Sequence, residues 1–273
     1  MSDQNTTLTK KIEDSKKIIL EAYEKFPLEK MRIAYTGGKD SLLVLWLVHE
    51  AIKGTGLKMP RCFCIDEGDM FDEVREFIEE SKARYGITVD MIHNADVSSH
   101  AEDGLGSEVR VADLNERNQR EVKRLDYEEE TFTYEPESYV GNHLMKTVTC
   151  MVYLEDNEID AFFEGIRWDE QGARANEIYF SPRPATEFNR EHTRINPILH
   201  FTERDVWDAL RENNVPFCKL YADGYRSLGA RVTTKKITET PAWEQDLENT
   251  TERGGRRQDK ENLMEKLRKL GYM

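Results

Sequence analysis

The stretch "MRIAYTGGKDSLLVLWLVHEAIK", residues 31–53, constrains this chain more than any other. A strand-length apolar run ends at Tyr35. Thr36, Gly37, Gly38, Lys39, Asp40 and Ser41 follow. The next apolar run is too long for a strand and reads as a mostly buried helix. A strand–glycine–helix turn gathers backbone N–H groups and the positive end of the helix dipole around one point. Gly37 and Gly38 let an anion approach the backbone. Thr36 and Ser41 add hydroxyl donors, and Lys39 adds a charge. The pattern therefore predicts a phosphate cradle, against the plainer alternative of an ordinary turn. It lacks the G-x-G-x-x-G of dinucleotide folds and the four-residue gap of the Walker loop.

The neighbouring sequence repeats the alternation. An amphipathic helix, "LTKKIEDSKKIILEAYEKF", precedes the motif. "RCFCID" and "ITVDMI" read as further strands, separated by a helix that places Phe71, Val74, Phe77 and Ile78 on one face. Strands with near-continuous apolar runs between helices predict a doubly wound parallel α/β sheet covered on both faces. Residues 97–140 break the rhythm. They are highly charged and short of apolar periodicity, and are expected to be a solvated, partly mobile insertion, with a lid as the functional alternative. The pattern resumes with "HLMKTVTCMVYLEDN" as a helix and "IDAFFEG" and "RINPIL" as strands. The helix "TERDVWDALRENN" opens with Thr202 and Asp205 at capping-box spacing. The predicted organisation is one α/β domain over residues 1–228 and a basic C-terminal arm over 229–273, ending in a helix, "DKENLMEKLRKLGYM".

With 273 residues, 38% of them hydrophobic, the chain can bury a large core. Its net charge of -14 argues against duplex nucleic acid as partner. A small anionic ligand needs only a local basic pocket. No apolar run is long enough to span a membrane, and the first residues lack a signal-peptide core. A soluble cytoplasmic protein is expected. The four cysteines, Cys62, Cys64, Cys150 and Cys218, are too scattered for a disulfide framework.

Three further stretches carry candidate chemistry. Asp66 follows the second strand, where open α/β sheets bind ligands; a solvated turn acid is the alternative. "GIRWDEQGARA" puts Gly165 at a strand end and crowds Arg167, Asp169, Glu170 and Arg174 into one loop. Arginines there suit phosphate or sulfate oxyanions, with a surface ion-pair network as the alternative. "GYRSLGARVTTKK" clusters Arg226, Arg231, Lys235 and Lys236, and "TERGGRR" adds Arg253, Arg256 and Arg257. Each is an anion clamp or a solvated basic face.

Together these motifs resemble a known family. "TGGKDS" is similar to the S-G-G-x-D-S loop of the adenine nucleotide α-hydrolase (PP-loop) superfamily, with threonine for the first serine. Residues 143–183 and the segment "INPILHFTERDVWDALRENNVPFCKLYADGYRSLG" resemble parts shared by sulfate adenylyltransferase small subunits and phosphoadenosine-phosphosulfate reductases. The resemblance implies cleavage of ATP between the α and β phosphates, with the loop gripping pyrophosphate. It implies that Asp66 neighbours the adenosine and Lys146 the phosphates. It further implies that Gly165 and Arg167 line the nucleotide site and that Arg174 faces the anion.

The cysteines divide the family's chemistries. A reductase needs a nucleophilic thiolate, normally in a C-terminal tail, and no cysteine follows Cys218. Cys62 and Cys64 alternate on a strand and read as apolar packing, so no iron–sulfur cluster is expected. Adenylyl transfer needs no thiol. Sulfate or a related nucleophile attacks the α-phosphorus, aided by Lys39, arginines, N–H groups and Mg2+, with Asp40 orienting the loop or holding the ion. The implied activity is sulfate adenylyltransferase-like, with ATP, Mg2+ and an oxyanion as ligands. A GTPase-type partner subunit and a homo-oligomer are the implied associations. A sulfonucleotide reductase-like or sulfur-transfer enzyme and a non-catalytic nucleotide sensor are the alternatives.

Overall fold

The computed structural model describes residues 7–170 and 174–252. The chain begins with α1 (Leu8–Lys25), whose N-terminus is capped by the Thr7 hydroxyl accepting from the Lys10 N–H. Then come β1 (Met31–Ala34), α2 (Lys39–Ile52), β2 (Arg61–Ile65), α3 (Asp72–Tyr85) and β3 (Val89–Ile92). Next are α4 (Ala95–Ser99), β4 (Glu108–Arg110), α5 (Glu116–Arg124), β5 (Thr131–Thr133) and α6 (Tyr139–Asn142). A π-helical stretch, His143–Val148, joins α6 to α7 (Thr149–Asp156). The chain continues through β6 (Ala161–Phe163), β7 (Phe180–Arg183), β8 (His192–Ile195) and α8 (Glu203–Glu212).

Among the described residues, six strands form the central sheet, in the order β3-β2-β1-β6-β8-β7. All pairings are parallel except β7 with β8. The period-2 alternation of strands assigns the two faces. Ile33, Cys62, Cys64, Ala161 and Phe163 join the core under α1, α2, α3 and α8. Phe63 and Phe162 point the other way and meet Met151 and Leu154 of α7. The order reverses between β1 and β6: the chain builds outward from β1 through β2 and β3, then returns to its other side. Loops after two such strands diverge and leave a crevice at their carboxyl ends. That crevice positions everything described below.

Three readings from sequence differ from the structure. The strand β7 was not anticipated; it is four residues long and contains Pro182, which is tolerated because β7 is an edge strand. The insertion is not a solvated excursion. Val97, Val109, Leu114, Val122, Leu125 and Phe132 form a buried cluster with Val140, Leu144 and Val148. These residues come from several short elements, so no single window shows their periodicity. The segment after Leu228 is also seated on the domain, with Trp243 packed against Trp207 and Phe217. The predicted terminal helix, together with Arg253, Arg256 and Arg257, lies outside the described residues.

His192 opens β8 fully buried, stacked on Phe162, with its Nδ1 at 2.9 Å from the Arg190 carbonyl. Burial pushes its pKa down to about 4. The unfolded chain takes up a proton near pH 6.5, whereas the folded chain resists until about pH 4. This contribution to stability is therefore whole above pH 6.5 and is lost as the pH falls toward 4. The loss is on the order of 3 kcal/mol. Urea midpoints at pH 7 and pH 4 should differ less for His192→Gln than for the parent chain; equal differences would contradict this assignment.

Candidate active site

The glycine loop sits at the mouth of the crevice. Gly37 has φ of 75°, in the left-handed region where a side chain is disfavoured. Gly38 occupies the N-cap position of α2. Ser41 Oγ accepts from the Thr36 N–H at 3.2 Å and donates to the Gly38 carbonyl at 3.0 Å, which closes the loop on itself. The Tyr221 hydroxyl accepts from the Lys39 N–H at 2.8 Å. The first turn of α2, with its dipole, thus faces the crevice.

β6 supplies the opposite lip. Gly165 passes so close to α2 that an added Cβ would lie 2.6 Å from the Asp40 carbonyl carbon. Arg167, completely buried, reaches over this junction. Its Nη1 pairs with Asp40, its Nε with Asp169 at 2.9 Å, and its Nη2 with Glu252 at 2.6 Å. The Lys39 ammonium lies 3.0 Å from Asp40, contacts Glu252, and is 4.0 Å from Glu203. Burial alone would push Lys39 toward its neutral form, but Asp40 and Glu252 outweigh it and raise its pKa. The same contest at Arg167 is won by Asp40, Glu252 and Asp169. Glu252 mirrors this: burial would raise its pKa, and Lys39 and Arg167 hold it well below the usual carboxylate range.

The predicted residues divide into groups. Thr36, Gly37, Gly38, Lys39, Asp40, Ser41, Gly165 and Arg167 come together. Lys146 lines an adjoining cavity of about 160 Å³ with Thr36, Ile65, Glu67, Asp69 and Glu137. Its ammonium pairs with Glu67 at 2.8 Å and approaches Glu137 at 3.7 Å. Asp66 is a turn acid, accepting from the Gly68 N–H at 3.0 Å and pairing with Arg75 at 2.8 Å. Arg174 pairs with Glu170, and Arg231, more than half exposed, lies 3.6 Å from Asp69. Arg226 is buried and bidentate to Glu203, with Nη2 at 2.7 Å and Nε at 3.2 Å. Its remaining donors go to the carbonyls of Asp246, Leu247 and Thr250. It clamps the chain after α8.

Glu203, Glu252 and Tyr221 were not foreseen. In sequence Glu203 is one of two acids in the first turn of α8, and Glu252 stands beside basic residues. No spacing rule connects either of them to Lys39. A larger hollow of about 660 Å³, lined by Lys25, Phe188, Arg190 and His192, lies at the opposite, amino ends of β6 and β8. The smaller cavity is the relevant one, because it is continuous with the loop.

Burial pushes the thiols of Cys62, Cys64 and Cys150 up to about 12 and raises that of Cys218. Cys62 and Cys64 lie in the main core, and Cys218 Sγ donates to the Glu73 carbonyl at 3.7 Å.

Residues 30–236 match the phosphoadenosine phosphosulfate reductase domain. A probable FAD synthase of Caenorhabditis briggsae is 26% identical over 235 residues, which are 85% of this chain and 35% of that protein. Sulfate adenylyltransferase subunit 2 of Mycobacterium tuberculosis is 26% identical over 214 residues, 71% of this chain and 58% of that protein. The chain thus spans less than two thirds of either relative. The FMN adenylyltransferase of Candida glabrata, solved with FAD and inorganic pyrophosphate, superposes with a TM-score of 0.59. At 20% identity, over 86% of this chain and 69% of that one, the likeness is one of fold, the adenine nucleotide α-hydrolase-like fold expected above.

Proposed function

The chain belongs to the phosphoadenosine phosphosulfate reductase domain family, and on that premise we propose that it transfers the adenylyl group of ATP to an oxyanion, releasing pyrophosphate. The carrying observation is the convergence of Lys39 and Arg167 on one point at the glycine loop, with no thiol among the side chains paired there. Two buried, permanently charged donors and a helix N-terminus suit a leaving pyrophosphate, whose charge grows as the α–β bond breaks. Asp40 holds Lys39 and Arg167 in register. Among the described residues no three Asp, Glu, His or Cys side chains converge as a metal site. The substrate is taken as MgATP, with the ion carried on the phosphates and Asp40 the nearest carboxylate of the loop.

The adjoining cavity supports ATP over a sulfonucleotide carrying a 3′-phosphate. Among the described residues its one lining ammonium, Lys146, is already paired with Glu67 and approached by Glu137. Carboxylates accept from ribose hydroxyls and repel a further phosphate. The raised thiol pKa values also weigh against a nucleophilic cysteine, which must be a thiolate to act.

Sulfate is the first acceptor proposed. A GTPase-type partner subunit and a homo-oligomer belong to the same reading. FMN is the second, favoured by the likeness to an FAD synthase across most of this chain. Both acceptors would present an oxyanion to the α-phosphorus. Incubation with MgATP and each acceptor should release pyrophosphate only when the right acceptor is present, with FAD formation read in the FMN arm by the fall in flavin fluorescence and by chromatographic separation from FMN. No release with either acceptor, together with thioredoxin-dependent sulfite release from a sulfonucleotide, would overturn the reading. A variant with all four cysteines changed to alanine is expected to keep acceptor-dependent release; a reductase would lose its activity.

A further inference from the structure

The seat between Lys39 and Arg167 is filled by the protein itself. Glu252 divides its carboxylate between them, Oε1 on the Lys39 ammonium and Oε2 on Arg167 Nη2 at 2.6 Å. Its side chain is only 10% exposed. One oxygen on a lysine and another on an arginine is how a phosphoryl group would sit between the same two cations.

The segment carrying Glu252 is held at several points. Leu247 is buried in the main core. Arg226 donates to three carbonyls of residues 246–250, and Glu203 holds Arg226 from beneath. Thr250 Oγ1 also accepts from Arg226. Among the described residues the anchoring thus ends at Thr250, and the side-chain partners of Glu252 are the two cations it bridges.

Charge makes shared occupancy unfavourable. Among the described residues, Lys39, Arg167 and Arg226 face Asp40, Asp169, Glu203 and Glu252, three cations against four carboxylates. A polyphosphate arriving beside Glu252 would meet a cluster that is already net negative. With Glu252 gone the cluster is balanced and two buried donors are free.

We propose that Glu252 is an internal stand-in for the nucleotide's phosphates, which holds the 246–252 strap shut over the loop until a pyrophosphate-bearing ligand displaces it. This rests on the phosphate-cradle reading of the loop. The strap lowers the apparent affinity for any polyphosphate by the fraction of molecules in which it is closed. It also gives the cradle a way to shed pyrophosphate after turnover, because the returning carboxylate competes for the same two cations.

Inorganic pyrophosphate is the probe. Calorimetry should show Glu252→Gln and Glu252→Ala binding it at least tenfold tighter than the parent chain. Thr250→Val, which loosens the Arg226 clamp without touching either cation, should bind it more tightly as well. In the parent chain, pyrophosphate should speed amide hydrogen exchange at residues 251–252, beyond the Arg226 clamp, a reading that does not depend on any variant folding. Unchanged or weaker binding in the Glu252 variants, or slowed exchange at residues 251–252, would overturn the proposal and leave the cradle intact. If neither the parent chain nor any variant binds pyrophosphate or ATP, the cradle reading itself falls, and this inference with it.

Discussion

Arg167→Met should reduce acceptor-dependent pyrophosphate release by about 10²–10³-fold, the usual cost of losing one preorganised donor to developing charge. The same change should lower stability. Arg167 is completely buried and pairs with Asp40, Asp169 and Glu252. Methionine fills much of the space but leaves those carboxylates without their shared cation. Removing one partner of a buried ionic network costs about 3–5 kcal/mol, because the desolvation of the remaining charges is no longer compensated. Arg167→Lys separates the two effects. It restores the charge but not the planar fork that reaches three carboxylates at once, so stability should recover further than turnover. Pyrophosphate release and urea unfolding, measured on both variants, check this. Full activity with an unmoved unfolding midpoint in Arg167→Met would remove the residue from the site.

Gly165→Ala is expected to be the second severe change, for a steric reason. The new Cβ would lie 2.6 Å from the Asp40 carbonyl carbon and 2.8 Å from both the Asp40 oxygen and the Ser41 nitrogen. All three are backbone atoms at the start of α2, so no flexible side chain can yield. Relief requires β6 and α2 to separate, which opens the glycine loop and moves Lys39 away from Arg167. Overpacking of this kind costs about 1–3 kcal/mol or more, and ATP affinity should fall with it. Gly38→Ala is the control. Its Cβ would stand 3.4 Å from Thr36 Oγ1 and 3.6 Å from the Tyr221 hydroxyl, ordinary contacts at a negative φ. Urea unfolding midpoints should therefore fall far more in Gly165→Ala than in Gly38→Ala. Equal losses would show that the β6–α2 junction is not held this closely.

Those contrasts mark how far one-dimensional reading reaches. Strand β1, the glycine turn and α2 are legible because their signals are local: residues 31–53 contain the apolar runs, the glycines and the helix start in one window. The capping box of α8 is local in the same way. Thr202 Oγ1 accepts from the Asp205 N–H at 3.2 Å, and Asp205 accepts from the Thr202 N–H at 2.7 Å. The insertion was misread because its core is assembled from α4, β4, α5, β5 and α6, each too short to show a period. Among the predicted arginines, Arg167 and Arg226 look equivalent in sequence. Only the fold makes one a lip of the crevice and the other a clamp on residues 246–250.

By itself, the sequence determined that this chain would alternate strands with helices around a parallel sheet and would place a glycine loop, Lys39 and Ser41 at the end of β1. Those outcomes follow from periodicity and backbone freedom, which act over a few residues. The tertiary structure alone decided that Glu203 and Glu252 would meet Lys39, that Arg167 would bind three carboxylates, and that the chain's own Glu252 would bridge Lys39 and Arg167. Lys39 and Glu252 are 213 positions apart. Their contact depends on β6 lying beside β1 and on the segment after α8 folding back across the crevice, and charge pairing at that distance along the chain leaves no periodic trace.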